Sequence, residues 1–311
     1  MIDIELLRKD PEETLKRLET RSVPKKDVER LIRADTKWRK KTEAVEQLTA
    51  RQKKLSQEVP TLSGANKKQQ ISELRSLNRR LLGPKERGEL ASLRAQRLKL
   101  WKQLPNLPLP DVPIGSDASA NREVASLSRP RPKFDFPPLD HLQLGVRLGI
   151  VDIERAITAS GSRFGALLGD GVHLELALMS HALDVLTREG FQPVIPPVLI
   201  KRDRMEAMGY LDRGAEEVYA TQDDLVLVGT SEQSIGAMYA SHVFAHDELP
   251  ARFVAFSPCF RREAGSHGKD VRGILRLHQF DKVEMFSFCR PESSAKEHTF
   301  FLELQKRLME D

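Results

Sequence analysis

The sequence predicts an α+β protein, with a long antiparallel two-helix arm followed by a domain of short strands and amphipathic helices. Three observations carry this. Apolar residues recur at heptad spacing through residues 26–59, a stretch free of Gly and Pro. Prolines at 105, 108, 110, 113, 130, 132, 137 and 138 then punctuate one segment, as a surface linker does. Beyond it, short apolar and β-branched runs alternate with helical patterns.

In the arm, Leu31, Trp38, Val45 and Val59 share one heptad position with Gln52, and Ala34, Leu48 and Leu55 share another, which Lys41 interrupts. A helix of that span is about 50 Å long. Ser63-Gly64-Ala65-Asn66 reads as a turn. Leu74, Leu77, Leu81, Leu90, Leu93, Leu100 and Leu104 form the returning series, and Gly83-Pro84 should break or kink it. The boundary falls near residue 110, giving an arm over 1–110 and a second domain over 111–311. There, His173–Arg188 reads as an amphipathic helix closed by Gly190. Residues 191–200 read as an edge or interface strand broken by Pro193, Pro196 and Pro197. Leu225–Val228, Arg252–Phe256 and Lys282–Phe288 read as strands, the last alternating Val283, Met285 and Ser287 against Glu284, Phe286 and Phe288. A helix begins near Glu297.

The net charge of +5 is unevenly spread. Residues 1–110 carry 27 Lys and Arg against 15 Asp and Glu, a net of +12, and the remainder carries a net of −7. A basic arm suits a polyanion such as nucleic acid, or is a solvated helical face. Candidate phosphate contacts are Arg39, Lys40, Lys41, Arg51, Lys53, Lys54, Arg75, Arg79 and Arg80. No run of eighteen apolar residues exists, so no spanning helix is expected. The early charges argue against a secretory signal, and a cytoplasmic protein is the expectation. Cys259 and Cys289 are too few for a disulfide framework or a four-ligand zinc site. Cys259 is expected to be a packed thiol and Trp38 and Trp101 to be core residues. His242, His246 and His267 lack metal-ligand spacing, so no metal site is assigned.

The chemistry concentrates in FSPCFRREAGSHGKDVRGILRLHQFDKVEM, residues 256–285. A strand ends at Phe260-Arg261, a polar loop contains Gly265, Gly268 and Gly273, and a second strand runs through Phe280 and Glu284. Two strands joined by a loop rich in Arg, Lys and backbone amides make a phosphate cradle. Arginines at both strand ends can grip phosphates, and Phe280 offers a face to a base. The same composition also fits an exposed hairpin with a charged tip.

This segment resembles motif 2 of the class II aminoacyl-tRNA synthetases, and specifically that of the bacterial-type seryl-tRNA synthetases. Residues 190–200, GFQPVIPPVLI, resemble motif 1, with its proline at Pro197. Residues 227–239, LVGTSEQSIGAMY, are similar to the family's serine-recognition loop. Residues 140–156 resemble the start of its catalytic domain, and the basic hairpin resembles its tRNA-binding arm. The implied fold is a class II antiparallel sheet flanked by helices, pairing into a homodimer through the Pro197 region.

The resemblance also implies roles. Arg261 would hold the α-phosphate and the serine carboxylate, Glu263 the adenine edge and Arg276 the distal phosphates, while Phe280 would stack on adenine. Arg262 joins the ATP-binding set. Thr230 and Glu232 would receive the serine ammonium, with Ser231 beside them, and Glu284 would complete the amino-acid pocket. The implied reaction is adenylation of L-serine by ATP, then transfer to the 3′ end of tRNA(Ser). Arg261 and Arg276 would neutralise phosphoryl charge with Mg²⁺, and no general base is implied. The family's motif 3, which carries its Mg²⁺ ligands, has no counterpart before Asp311. The expectation is therefore a truncated or split synthetase, with a non-catalytic RNA-binding or regulatory paralogue as the alternative. His267 stands where the family commonly has an aromatic hydroxyl. Residues 165–168 follow Phe164 where bulkier strand residues are usual.

Overall fold

The computed structural model describes residues 2–126, 132–212, 214–264 and 272–310. Pro130, Gly265, His267 and Gly268 lie outside them. The chain divides into two compact units, Met1–Val124 and Ala125–Asp311.

The first unit is helical. Helices α1 (Ile4–Lys9) and α2 (Pro11–Glu19) precede α3 (Lys25–Glu58), and α4 (Gly64–Leu82) and α5 (Pro84–Lys102) return along it. The 34 residues of α3 span about 50 Å. Its heptad face is the packed one: Leu31, Ala34 and Leu55 are buried, and Trp38, Val45 and Leu48 are half-buried. Gln52, the polar member, bonds Asn78 across the hairpin at 3.0 Å. Lys41 pairs with Glu86 and Glu89. The return breaks at Gly83-Pro84, as the sequence requires, because a proline removes a helical donor. The turn is displaced from its expected place. Val59–Thr61 form a 3₁₀ turn and Gly64 opens α4, so residues 64–66 are helix rather than turn.

At the base of the hairpin, Ile2, Ile4, Leu7, Leu18, Val28, Leu31 and Leu104 form one core. Burying each such side chain stabilises by about 1.5–3 kcal/mol. Asp35 accepts from Arg8 Nε at 2.9 Å and Nη2 at 2.8 Å, and from Arg97 Nε at 2.6 Å. The Arg97 guanidinium lies between the rings of Trp38 and Trp101, 4.5 and 4.8 Å from their centroids. Both tryptophans are thus packing residues.

The second unit opens with α6 (His141–Arg147), β1 (Val151–Asp152), α7 (Glu154–Ser160) and β2 (Ala166–Leu167). Next come α8 (Asp170–Arg188), β3 (Gln192–Val194), β4 (Leu199–Lys201) and α9 (Arg202–Ala207). The remainder is β5 (Leu225–Leu227), α10 (Ser231–Met238), β6 (Ala251–Phe260), β7 (Gln279–Phe288) and α11 (Ser294–Glu310). Helix α8 ends as a left-handed cap: Gly190 has φ +85°, Gly190 N donates to Thr187 O and Phe191 N to Leu186 O.

The central sheet has the order β3–β6–β7. Strands β6 and β7 pair antiparallel over ten residues, from Ala251 opposite Phe288 to Phe260 opposite Gln279. The expected edge strand is β3, which joins β6 in parallel rather than antiparallel fashion. Pro196 and Pro197 separate it from β4, which pairs with β5 instead. Helices cover both sheet faces. Leu186, Phe191, Val254 and Leu304 join α8 and α11 to one face, with Val283 and Met285. Ile235, Phe253 and Ala255 hold α10 on the other, with Phe286 and Phe288. No described helix is long and apolar enough to cross a membrane.

Candidate active site

The α10 face of the sheet opens into a cleft of about 460 Å³. One wall is the segment from β5 into α10. Phe260 N donates to Val228 O at 2.8 Å, and Arg261 Nε donates to Gly229 O at 3.1 Å. These bonds bring the end of β6 against Gly229. A Cβ there would sit 3.3 Å from both Arg261 Cγ and Phe260 O, so the close approach favours glycine.

Glu284 organises that wall. Its Oε2 accepts from the Thr230 hydroxyl, from Ser231 Oγ at 2.8 Å and from Glu232 N at 3.0 Å. Its Oε1 accepts from Lys282 Nζ at 2.7 Å, and Lys282 also donates to Thr230 Oγ1 at 2.6 Å. Burial alone would raise the Glu284 pKa, but Lys282, Thr230 and Ser231 outweigh it and hold the carboxyl below its ordinary value. A carboxylate at the N-terminus of α10 also complements the helix dipole.

The opposite end is cationic. Arg276 Nη1 donates to Glu263 Oε2 at 2.9 Å. Arg261 lies over the Phe280 ring, its guanidinium carbon 5.2 Å from the centroid. Glu263 has φ +49°, and its carbonyl accepts from Arg163. Such left-handed backbone costs on the order of 1–3 kcal/mol and clusters at functional sites.

Comparison with known proteins gives the cleft its context. The profile of the seryl-tRNA synthetase N-terminal domain matches residues 1–108, and that of the tRNA synthetase class II core domain (G, H, P, S and T) matches 217–311. A serine–tRNA ligase of Streptomyces coelicolor is 40% identical over 309 residues, 99% of this chain and 72% of that protein. One from Thermotoga neapolitana is 39% identical over 94% of this chain and 70% of its own. The crystal structure of seryl-tRNA synthetase from Pyrococcus horikoshii, complexed with ATP, superposes with a TM-score of 0.81 at 31% identity, covering all of this chain and 74% of that one. The cytoplasmic serine–tRNA ligase of Naegleria fowleri, in complex with AMP, gives 0.80 at 27% identity, over 98% and 71%.

This chain belongs to the seryl-tRNA synthetase family. Its fold is the helical arm and class II domain of that family, and its function class is serine–tRNA ligase.

Six residues named from the seryl-tRNA synthetase resemblance line the one cleft: Thr230, Glu232, Arg261, Glu263, Arg276 and Glu284. Phe280 meets it through Arg261 and otherwise faces a neighbouring depression. Ser231 is fully buried and gives its hydroxyl to Glu284. Arg262 lies over Tyr219, 5.9 Å from the ring centroid, and its N–H donates to Glu217 O. Neither of these two lines the cleft. Pro197 O accepts from Ser234 Oγ, tying the motif 1 segment to α10. Sequence reasoning missed Lys282 and Tyr210, which also line the cleft. Lys282 was within reach, since it shares a strand face with Phe280 and Glu284. Cys259 is fully buried, and burial pushes its thiol pKa up, which suits a packed group. Among the described residues, no group of three or more His, Cys, Asp or Glu could hold a metal ion.

Proposed function

We propose that this chain activates L-serine with ATP and passes the seryl group to the 3′ end of tRNA(Ser). One observation supports this above the others: a single cleft joins a wall of carboxylates and hydroxyls to a cationic end beside an aromatic face. Thr230, Glu232 and Glu284 complement a small substrate with an ammonium and a hydroxyl. A site that hydrogen-bonds the hydroxyl rejects its absence better than one relying on size. Arg276 and Arg261 complement phosphates, and Phe280 a purine ring. Arg261 adjoins both ends, bonded to Gly229 beside Thr230 and lying over Phe280.

In the first step a serine carboxylate oxygen attacks the α-phosphorus and the bond to pyrophosphate breaks. In the second a ribose hydroxyl attacks the carbonyl carbon and AMP leaves. Arg261 neutralises charge at the α-phosphate and orients the serine carboxylate, and Arg276 receives the distal phosphates by exchanging Glu263 for them. Glu263, released, accepts from the adenine edge. Ser231 and Arg262 act from behind the wall and from the rim. Mg²⁺ accompanies ATP in this reading. Among the described residues no group of three or more His, Cys, Asp or Glu is placed to hold it.

The same reading assigns tRNA binding to the basic arm, residues 1–110, and adenylation to residues 111–311, in the cytoplasm. It pairs two copies through the Pro197 region. Leu174 and Leu178 on α8 are 56% and 62% exposed and Ile195 after β3 is 81% exposed. Exposed apolar side chains of this kind suit a second copy.

Calorimetric titration with a non-hydrolysable seryl-adenylate analogue tests the cleft. The chain should bind it, and Arg261→Ala should weaken binding by about 30-fold or more, as loss of a charged hydrogen-bonding partner does. A folded chain that ignores the analogue, or an Arg261→Ala variant that binds it normally, would overturn the assignment.

A further inference from the structure

Two carboxylates stand on the amino-acid wall of the cleft, and the structure treats them differently. Glu284 is committed to Thr230, Ser231, Glu232 N and Lys282. Its charge is already matched by a lysine. Among the described residues the ion pairs of the cleft are Arg276–Glu263 and Lys282–Glu284, and Glu232 is in neither. Among the described residues its side chain takes one hydrogen bond, from the Tyr210 hydroxyl to Oε2 at 3.0 Å, and Oε1 takes none.

Tyr210 is built to give that bond. Its ring packs on the cluster of Ile200, Met205, Val226 and Val228, so the phenol oxygen has a fixed place at the cleft wall. Burial, and then the Glu232 carboxylate, raise the phenol pKa well above its ordinary value, and the group stays a donor. A glutamate free to sample its rotamers must give up that freedom when it binds a ligand. One already held by a rigid neighbour has given it up beforehand.

We infer that Tyr210 is a positioning residue for amino-acid selection: it holds Oε2 of Glu232 and thereby presents Oε1 to the cleft as the acceptor for the substrate's primary ammonium. This rests on the reading of the cleft as a seryl-adenylate site. The consequence is discrimination by charge. A ligand carrying the ammonium satisfies Oε1, and one lacking it leaves a desolvated carboxylate unpaired.

The test uses two probes on the intact chain: a non-hydrolysable seryl-adenylate sulfamate, and the same molecule with hydrogen in place of its ammonium. The wild-type chain should favour the first. Tyr210→Phe keeps the packed ring and removes the donor. It should weaken the ammonium probe about tenfold and shift the other by less than about twofold. Glu232→Gln approaches the same coupling from the other side. It should abolish the preference, and adding Tyr210→Phe to it should cost nothing more. Equal weakening of both probes by Tyr210→Phe would show that the tyrosine merely supports the fold, and would overturn the proposal. So would unchanged binding of both, or a further loss in the Glu232→Gln background. A wild-type chain that binds neither probe would remove the underlying reading of the cleft, a result distinct from either.

Discussion

Asp35 is buried and Glu284 half-buried, and both survive as anions because donors surround them. Burial alone would raise the pKa of each. Lys282, Thr230 and Ser231 in one case, and Arg8 and Arg97 in the other, reverse that and hold them below their ordinary values of 4.5 and 3.8. A carboxyl whose folded pKa is depressed contributes stability above its unfolded pKa and loses it as pH falls through the folded one. The urea midpoint should therefore be flat from about pH 7 to about 5 and fall progressively below about 4.5. A midpoint that rises on acidification would contradict this. At this scale the sequence was readable where the signal is a short string. Arg261, Arg276 and Phe280 lie within 20 residues and suggested a phosphate cradle or an exposed charged hairpin, and the motif 2 resemblance added Glu263 and Glu284. Tyr210 was not readable. Its partner is 22 residues away on a different element, and no local pattern marks a hydroxyl that meets a carboxylate only after folding.

Among the elements, α3 was legible because its heptad face is also its buried face, and α8 because a glycine cap and an amphipathic stripe agree. Strands β6 and β7 run longer than their apolar cores suggest. Pro258 and Cys259 in one, and Gln279 and Asp281 in the other, hide the pattern, yet cross-strand pairing carries both through to Phe260 opposite Gln279. Gly64 misled in another way: a glycine with φ +62° starts α4 instead of marking the turn before it. The exposed stripe of α8 carries a prediction of its own. Leu174 and Leu178, one helical turn apart, should be covered in a homodimer. Leu174→Glu with Leu178→Glu should then convert a dimer to a monomer in sedimentation velocity, with helix content by circular dichroism retained. An unchanged sedimentation coefficient would place the dimer contact elsewhere.

Over the whole molecule the charge is divided along the chain, a net of +12 in residues 1–110 against −7 in the rest. Lys40, Lys53, Arg75 and Arg79 are exposed and, among the described residues, have no ion pair, whereas Arg51 is paired with Glu73 and Lys41 with Glu86 and Glu89. The unpaired ones are the better candidates for phosphate contacts. Excising residues 43–88 and closing the gap with a short glycine linker keeps the Arg8–Asp35–Arg97 cluster. It should leave binding of the seryl-adenylate analogue within about twofold and abolish salt-sensitive retention of tRNA(Ser) on filters. Loss of both activities together would argue against separable roles.

The packing of Arg97 between Trp38 and Trp101 also decides what light can report. The chain has two tryptophans, and both touch this one guanidinium in the helical unit. Indole emission is consequently a private channel of that unit, blind to the sheet and its cleft. A melting curve followed by tryptophan fluorescence will track the arm's base alone. If the two units come apart at different temperatures, it will show one clean transition where calorimetry shows two.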